Sequence, residues 1–238
     1  SSTTLKTSTT LPIYMSMSSL SATLFQANTP ISFNIVFNQS LNTGDVHTVI
    51  SSVTLTDSSS NDYSMTIGSY SGAALTVTYP GFSTVGTYTL KAYDNDGTPN
   101  MVLSTSIYVY NTVTKITTTP YQVDDTAFTF DIKFDNDLDS STQANSFLSI
   151  SEATITNGST TYTLTLGTIA TNVLTVTYAG VPTAGYYTVA VKDNRTTPNQ
   201  LPILVNTKVS VYMKINSVSI TSSPANTDLS FNIVFNQN

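Results

Sequence analysis

One strand-like octapeptide recurs in this chain. Ser32-Phe33-Asn34-Ile35-Val36-Phe37-Asn38-Gln39 returns, letter for letter, as Ser230-Phe231-Asn232-Ile233-Val234-Phe235-Asn236-Gln237, 198 positions later. A looser copy, Thr129-Phe130-Asp131-Ile132-Lys133-Phe134-Asp135-Asn136, lies 97 positions after the first. Each copy alternates large apolar with polar side chains, the period of a strand with one buried face. Such a segment repeating about every hundred residues implies a tandem array, because each copy needs the same set of partner strands. From Tyr14 to Ser40, more than half the residues are identical to those 198 positions on. The weaker match at 97 predicts a repeating unit of two domains, odd and even.

The repeat divides the chain into four parts. Residues 1–15 read as an orphan last strand of a preceding repeat, or as a donor strand, because Leu11-Pro12-Ile13-Tyr14-Met15 matches Val209-Ser210-Val211-Tyr212-Met213. Residues 16–110 form the first full repeat and 111–213 the second, while 214–238 hold the first two strands of a third. Within the first repeat an opening strand is expected over Leu20 to Phe25, closed by Asn28-Thr29-Pro30. Ile31, Phe33, Ile35 and Phe37 then face inward. Val53 and Leu55, then Tyr63, Met65 and Ile67, then Leu75, Val77 and Tyr79 continue the alternation, and Gly86 to Ala92 and Ile107 to Val109 complete it. The second repeat follows in the same order, with Asn157-Gly158 predicting a type I′ hairpin turn. About seven short strands per repeat, divided by turn signals and without helical periodicity, predict an all-β antiparallel sandwich.

Composition narrows the function. Only 9% of residues are charged, against roughly 25% in an average soluble protein. Ser and Thr make up roughly a third of all positions, a usage far from the average mixture. A surface solvated by hydroxyls and amides is common in secreted, glycosylated proteins. A net charge of −6 with no basic run argues against nucleic acid, since phosphates must be met by clustered Lys or Arg. Cysteine is absent, so packing alone holds each repeat. No apolar run in this sequence approaches the ~18 residues of a transmembrane segment.

The segments Gly86-Thr87-Tyr88 and Gly185-Tyr186-Tyr187 bring in a family resemblance. The chain resembles tandem immunoglobulin-like and fibronectin-III-like repeats of extracellular fibre and surface proteins. The resemblance implies that Tyr88 and Tyr187 are tyrosine-corner residues, each bonded back to the turn before its strand. It covers about 95 residues, twice, and lacks the disulfide and buried Trp of antibody domains. Fold alone does not assign function.

Chemistry-bearing residues are sparse. The one histidine, His47, lies in a polar loop near Asp45, and no Gly-x-Ser-x-Gly elbow accompanies it. Glu152 has no partner carboxylate in a catalytic pattern. The sequence therefore predicts no enzyme and no cofactor. Calcium has weak candidates in Asp94 and Asp96, and in Asp135, Asp137 and Asp139, because hard cations collect loop oxygens. These acids do not recur between the repeats, and acidic turns account for them. Sequons make Asn38, Asn194 and Asn157 candidates for N-glycosylation, the first two ahead of the third, whose turn is tight.

From Tyr110 to Lys115 only Asn-Thr-Val-Thr intervenes, with no Gly or Pro, which predicts a restricted link and a stiff rod. The expected function is therefore structural and extracellular. Tandem domains would assemble with copies of themselves, head to tail, into a filament carrying covalent glycans, with strand complementation between subunits. The competing expectation is a cell-surface adhesin or receptor stalk that binds a glycan or protein through its loops.

Overall fold

A computed structural model describes residues 15–41, 46–96, 101–118, 121–123, 127–139, 147–181, 183–195, 203–220, 225, 227–228 and 230–236. The chain divides into two compact units, Ser1–Tyr110 and Asn111–Asn238. Residues 1–14, the proposed orphan or donor strand, lie outside the described residues, except that Met15 is seen and is buried.

Unit 1 contains β1 (Met17–Leu20), β2 (Leu24–Gln26), β3 (Ile31–Phe37), β4 (Ile50–Thr56), β5 (Asp62–Ser64), β6 (Thr66–Ser71), β7 (Ala74–Tyr79), β8 (Gly86–Asp94) and β9 (Met101–Tyr110). They build a four-stranded sheet in the order β1-β3-β7-β6 and a five-stranded sheet in the order β2-β9-β8-β4-β5. This is the strand arrangement of an immunoglobulin-like sandwich. Unit 2 repeats it. There β10 (Val113–Thr117), β12 (Phe128–Phe134), β16 (Val173–Tyr178) and β15 (Thr165–Ala170) form one sheet. The other is β11 (Tyr121–Gln122), β18 (Ile203–Tyr212), β17 (Gly185–Asp193), β13 (Ile150–Asn157) and β14 (Thr160–Thr163).

The period-2 alternation fixes the core. Phe33, Ile35 and Phe37 are buried on β3, and Phe130, Ile132 and Phe134 on β12. Leu55, Leu90 and Ile107, or Ile155, Val189 and Val209, are the buried residues of the opposing sheets. Each fully buried Leu, Ile or Phe contributes roughly 1.5–3 kcal/mol relative to exposure.

Two stretches expected as single strands are divided. The opening strand over Leu20 to Phe25 is cut by Ser21–Thr23, so β1 pairs antiparallel with β3 while β2 runs parallel to β9. Tyr63 and Ile67 likewise belong to different sheets. The backbone N of Met65 still donates to Val53 O at 2.9 Å, and from Thr66 onward the chain pairs with β7. Met65 itself is buried between the layers. Leu164 makes the same transfer in unit 2, donating to Ala153 O at 2.8 Å. Splitting an opening strand protects both sheet edges while keeping the alternation of the sequence intact.

The β13–β14 turn also differs from expectation. Asn157 pairs with Thr160, so the two loop residues are Gly158 and Ser159, not Asn157 and Gly158. Of these two only Gly158 has positive φ, +59°, the requirement of a type II′ turn, not type I′. Gly81 meets a harder constraint: its φ is +122°, and a Cβ there would collide with the carbonyl oxygen of Thr29.

Beyond β18 come β19 (Ile215–Ile220) and β20 (Phe231–Phe235), which form a two-stranded sheet of their own. Their register copies unit 1, with Ile215 opposite Phe235 and an irregularity before Ser217, as Met17 lies opposite Phe37 with one before Ser19. Even the end of the ladder is copied. Asn236 Oδ1 accepts from Lys214 N at 3.0 Å, as Asn38 Oδ1 accepts from Ser16 N at 3.1 Å. Burial is not copied. Phe231, Ile233 and Phe235 are 53%, 42% and 42% exposed, whereas their twins Phe33, Ile35 and Phe37 are at most 3% exposed. An isolated two-stranded sheet is marginal in water.

Candidate functional site

The most elaborate side-chain arrangement in each unit lies between the β4–β5 or β13–β14 turn and the loop that enters β8 or β17. In unit 1, Gly86 (φ +149°) swings the chain into β8, and the Tyr88 hydroxyl donates to Thr84 O at 2.8 Å. Phe82 stacks on Tyr88 with ring centroids 4.1 Å apart and on Tyr79 at 4.5 Å, and Tyr63 meets it edge-on at 5.0 Å. Offset and edge-on rings of this kind add to the stability given by burial alone.

Asp57 anchors the polar side of this cluster. It accepts from the backbone N and side-chain amide of Asn61, both at 2.9 Å, from Ser59 N at 2.9 Å and from the Tyr63 hydroxyl at 3.0 Å. The Asn61 amide, then its backbone N–H, hold the Asp57 carboxyl below the ordinary carboxylate value. The bond to Asp57, with burial, pushes the Tyr63 hydroxyl up. Burial, with the neighbouring Tyr63, pushes Tyr88 up further.

Unit 2 keeps the tyrosines and loses the plug. Tyr187 donates to Thr183 O at 2.7 Å, and Tyr162 stands 5.4 Å from Tyr178 and 6.1 Å from Tyr187. The Phe82 position is occupied by Val181, and the Asp57 position by Asn157. The Asn157 side chain bonds to the Tyr187 hydroxyl and partly offsets the upward push of burial on it. Asn157 also lies against Gly185, where a Cβ would come within 2.9 Å of Nδ2. A pocket of about 160 Å³ lies beside this cluster, lined by Asn157, Thr160, Tyr162, Thr183 and Tyr187. Its sequence signal is the change from Asp57 and Asn61 to Asn157 and Thr160.

The remaining candidates are scattered. Asp94 ends β8 fully buried, its carboxylate accepting from Asp96 N at 3.3 Å. Asp135 and Asp137 are exposed and Asp139 is half-buried. Among the described residues no group of three or more His, Asp or Glu side chains is placed to hold a metal ion. His47 falls in a 3-10 turn, Val46–Thr48, its side chain outside the described residues. Glu152 makes a half-exposed ion pair with Lys192 at 2.8 Å. Of the sequon residues, Asn38 is exposed, Asn194 is half-buried with its backbone N bonded to Ser149 O, and Asn157 is committed to the Tyr187 cluster.

Sequence reasoning missed one pair. Arg195, where unit 1 has Asp96, is buried and donates through Nε to Asp193 Oδ2 at 2.7 Å, with its guanidinium 4.9 Å from the centroid of Phe147. Removing one partner of such a pair would leave an uncompensated buried charge.

No protein-family model and no curated protein matches the chain. Among solved structures it is similar to a chain described as "FdeC, a Novel Broadly Conserved Escherichia coli Adhesin Eliciting Protection against Urinary Tract Infections". The identity is 12% and the TM-score 0.34, over 83% of this chain and 63% of that one. This chain therefore spans less than two thirds of that chain's length.

Proposed function

We propose that this is a non-catalytic extracellular structural protein whose tandem immunoglobulin-like domains assemble into a filament through strand complementation between copies. The observation that carries this reading is the repetition of one two-sheet sandwich along the chain, strand for strand, with short strands such as β5 and β14 at the sheet edges. Edge strands can recruit a strand from another copy, and a head-to-tail contact that does not close on itself extends into a filament. Two further features support it. Only Asn111 and Thr112 separate β9 from β10, and Asn111 is buried, bonding to Thr112 N at 2.9 Å and Asn136 N at 3.0 Å. The hydroxyl-rich, weakly charged surface suits a secreted, glycosylated chain.

The test is sedimentation velocity over a concentration series, with electron microscopy of the same samples. Concentration-dependent elongated species are expected. A chain that stays monomeric at every concentration overturns the assembly.

A second reading, a surface adhesin or receptor stalk that binds a glycan, is favoured by the uncharged aromatic pocket of unit 2.

A further inference from the structure

We propose that the pocket between β13–β14 and the corner entering β17 is a binding site for a neutral sugar ring. The proposal rests on the second reading above and is independent of filament assembly.

The pocket is a place where the repeat has changed its turn and its polar anchor: its lining residues Asn157 and Thr160 stand where unit 1 has the bonded pair Asp57 and Asn61. In unit 1 the two tyrosines equivalent to Tyr162 and Tyr187 are Tyr63 and Tyr88, and Phe82 lies in contact with both. In unit 2 Val181 takes that place and is buried; Tyr162 and Tyr187 stay 6.1 Å apart against 6.0 Å for Tyr63 and Tyr88, while Tyr162 and Tyr178 close to 5.4 Å from the 6.0 Å of Tyr63 and Tyr79. The open space lies on the other side of Tyr162 and Tyr187, against Asn157, Thr160 and Thr183. The anchor of the neighbouring turn has changed with it, from a carboxylate to the Asn157 amide. The turn above has shortened: Asn157 pairs with Thr160 across Gly158-Ser159, whereas Thr56 pairs with Asp62 in unit 1.

The lining then dictates the ligand class. It holds one amide, two threonine hydroxyls and two tyrosines, with no ionisable carboxylate or cation. Charged ligands gain nothing there, and a purely apolar one would strand the hydroxyls without partners. A pyranose offers C–H faces for the Tyr162 ring and equatorial hydroxyls that both donate and accept. That matches Thr160 and Thr183 Oγ1 and the Asn157 carbonyl oxygen. A few convergent polar groups on an aromatic wall is how small-ligand sites fix orientation.

The experiment uses the whole chain made without N-glycosylation, so that no sugar of its own competes. Methyl glycosides of glucose, galactose, mannose and N-acetylglucosamine are titrated by heteronuclear NMR, with an anionic sugar phosphate as the contrasting probe. At least one neutral glycoside should bind with Kd of ~1–10 mM, reasonable for so small a ligand, shifting amides of residues 157–162 and 183–187. Thr160→Tyr, which fills the pocket from its exposed rim, should weaken binding at least tenfold while leaving the fold's amide pattern intact. Tyr162→Ala is the second variant and should do the same. Unchanged affinity in Thr160→Tyr, shifts located elsewhere, or no neutral glycoside bound below 50 mM (roughly the weakest binding worth assigning to a site) would each overturn the site. Loss of sugar binding with filaments intact, or the reverse, separates this inference from the assembly reading.

Discussion

The Tyr88 hydroxyl donates to the Thr84 carbonyl, four residues upstream, at 2.8 Å, and so ties the start of β8 to the loop that precedes it. Tyr187 and Thr183 repeat the bond at 2.7 Å in unit 2. Tyr88→Phe and Tyr187→Phe should each destabilise their own unit by about 1–2 kcal/mol, the net worth of a hydrogen bond to a part-buried acceptor. Urea unfolding followed by far-ultraviolet circular dichroism reads the change, and midpoints equal to wild type would remove the corner from the stability of the fold.

Phe82 is a plug, and its removal has a cost that Val181 need not incur. Phe82→Val should destabilise unit 1 by about 2–3 kcal/mol, through lost ring burial and the cavity left among Tyr63, Tyr79 and Tyr88. A loss below 0.5 kcal/mol, in surface-mutation territory, would mean that the tyrosines close over the gap.

Ile35 and Ile233 are the same residue in the same register with opposite surroundings, 0% and 42% exposed. Ile35→Asp should unfold unit 1, because a buried unpaired carboxylate exceeds the margin of a small domain. Ile233→Asp, at a position exposed in this chain, should leave the thermal transition within about 2 °C, as surface changes do. Equal damage from both variants would overturn this difference in surroundings.

Stability should fall at both pH extremes for identifiable reasons. Asp57 has its carboxyl lowered by Asn61, so its contribution is present above the ordinary carboxylate value and is lost as pH falls through the lower folded value. Tyr88 and Tyr187 are raised by burial, so theirs is intact below the ordinary tyrosine value of 10.0 and declines as pH rises above it. Melting temperature measured from pH 2 to 11.5 should therefore drop on both sides, and Asp57→Asn should flatten only the acid side. An unchanged acid limb in that variant would refute the assignment.

The alternation Phe33-Ile35-Phe37 was enough to place the buried face, and the displacement of its copies was enough to find the repeat. The sheet changes at Ser21–Thr23 and at Met65 were not legible, because the period-2 pattern runs through them undisturbed while the hydrogen-bond partners change. The Asp193–Arg195 pair was hidden for another reason. Arg195 reads as an exposed loop cation until the fold sets it against Phe147. The pocket was hidden because Asn157 and Thr160 read as ordinary turn residues until the fold sets them beside Tyr162 and Tyr187.

The identity of two segments 198 residues apart has a consequence in time. Neighbouring repeats with interchangeable strands can trade them as the chain folds, and tandem proteins misassemble by that route. Here β3 and β20 are near-twins, but β12 between them carries Asp131 and Lys133 where they carry Asn and Val, and Asp131 accepts from Thr175 on its own neighbour β16 at 2.8 Å. At the ~5–20 residues per second typical of synthesis, a separation of 198 residues delays the second twin by about 10–40 s. Small domains close in far less, so β7 is already taken when the competitor for it leaves the ribosome.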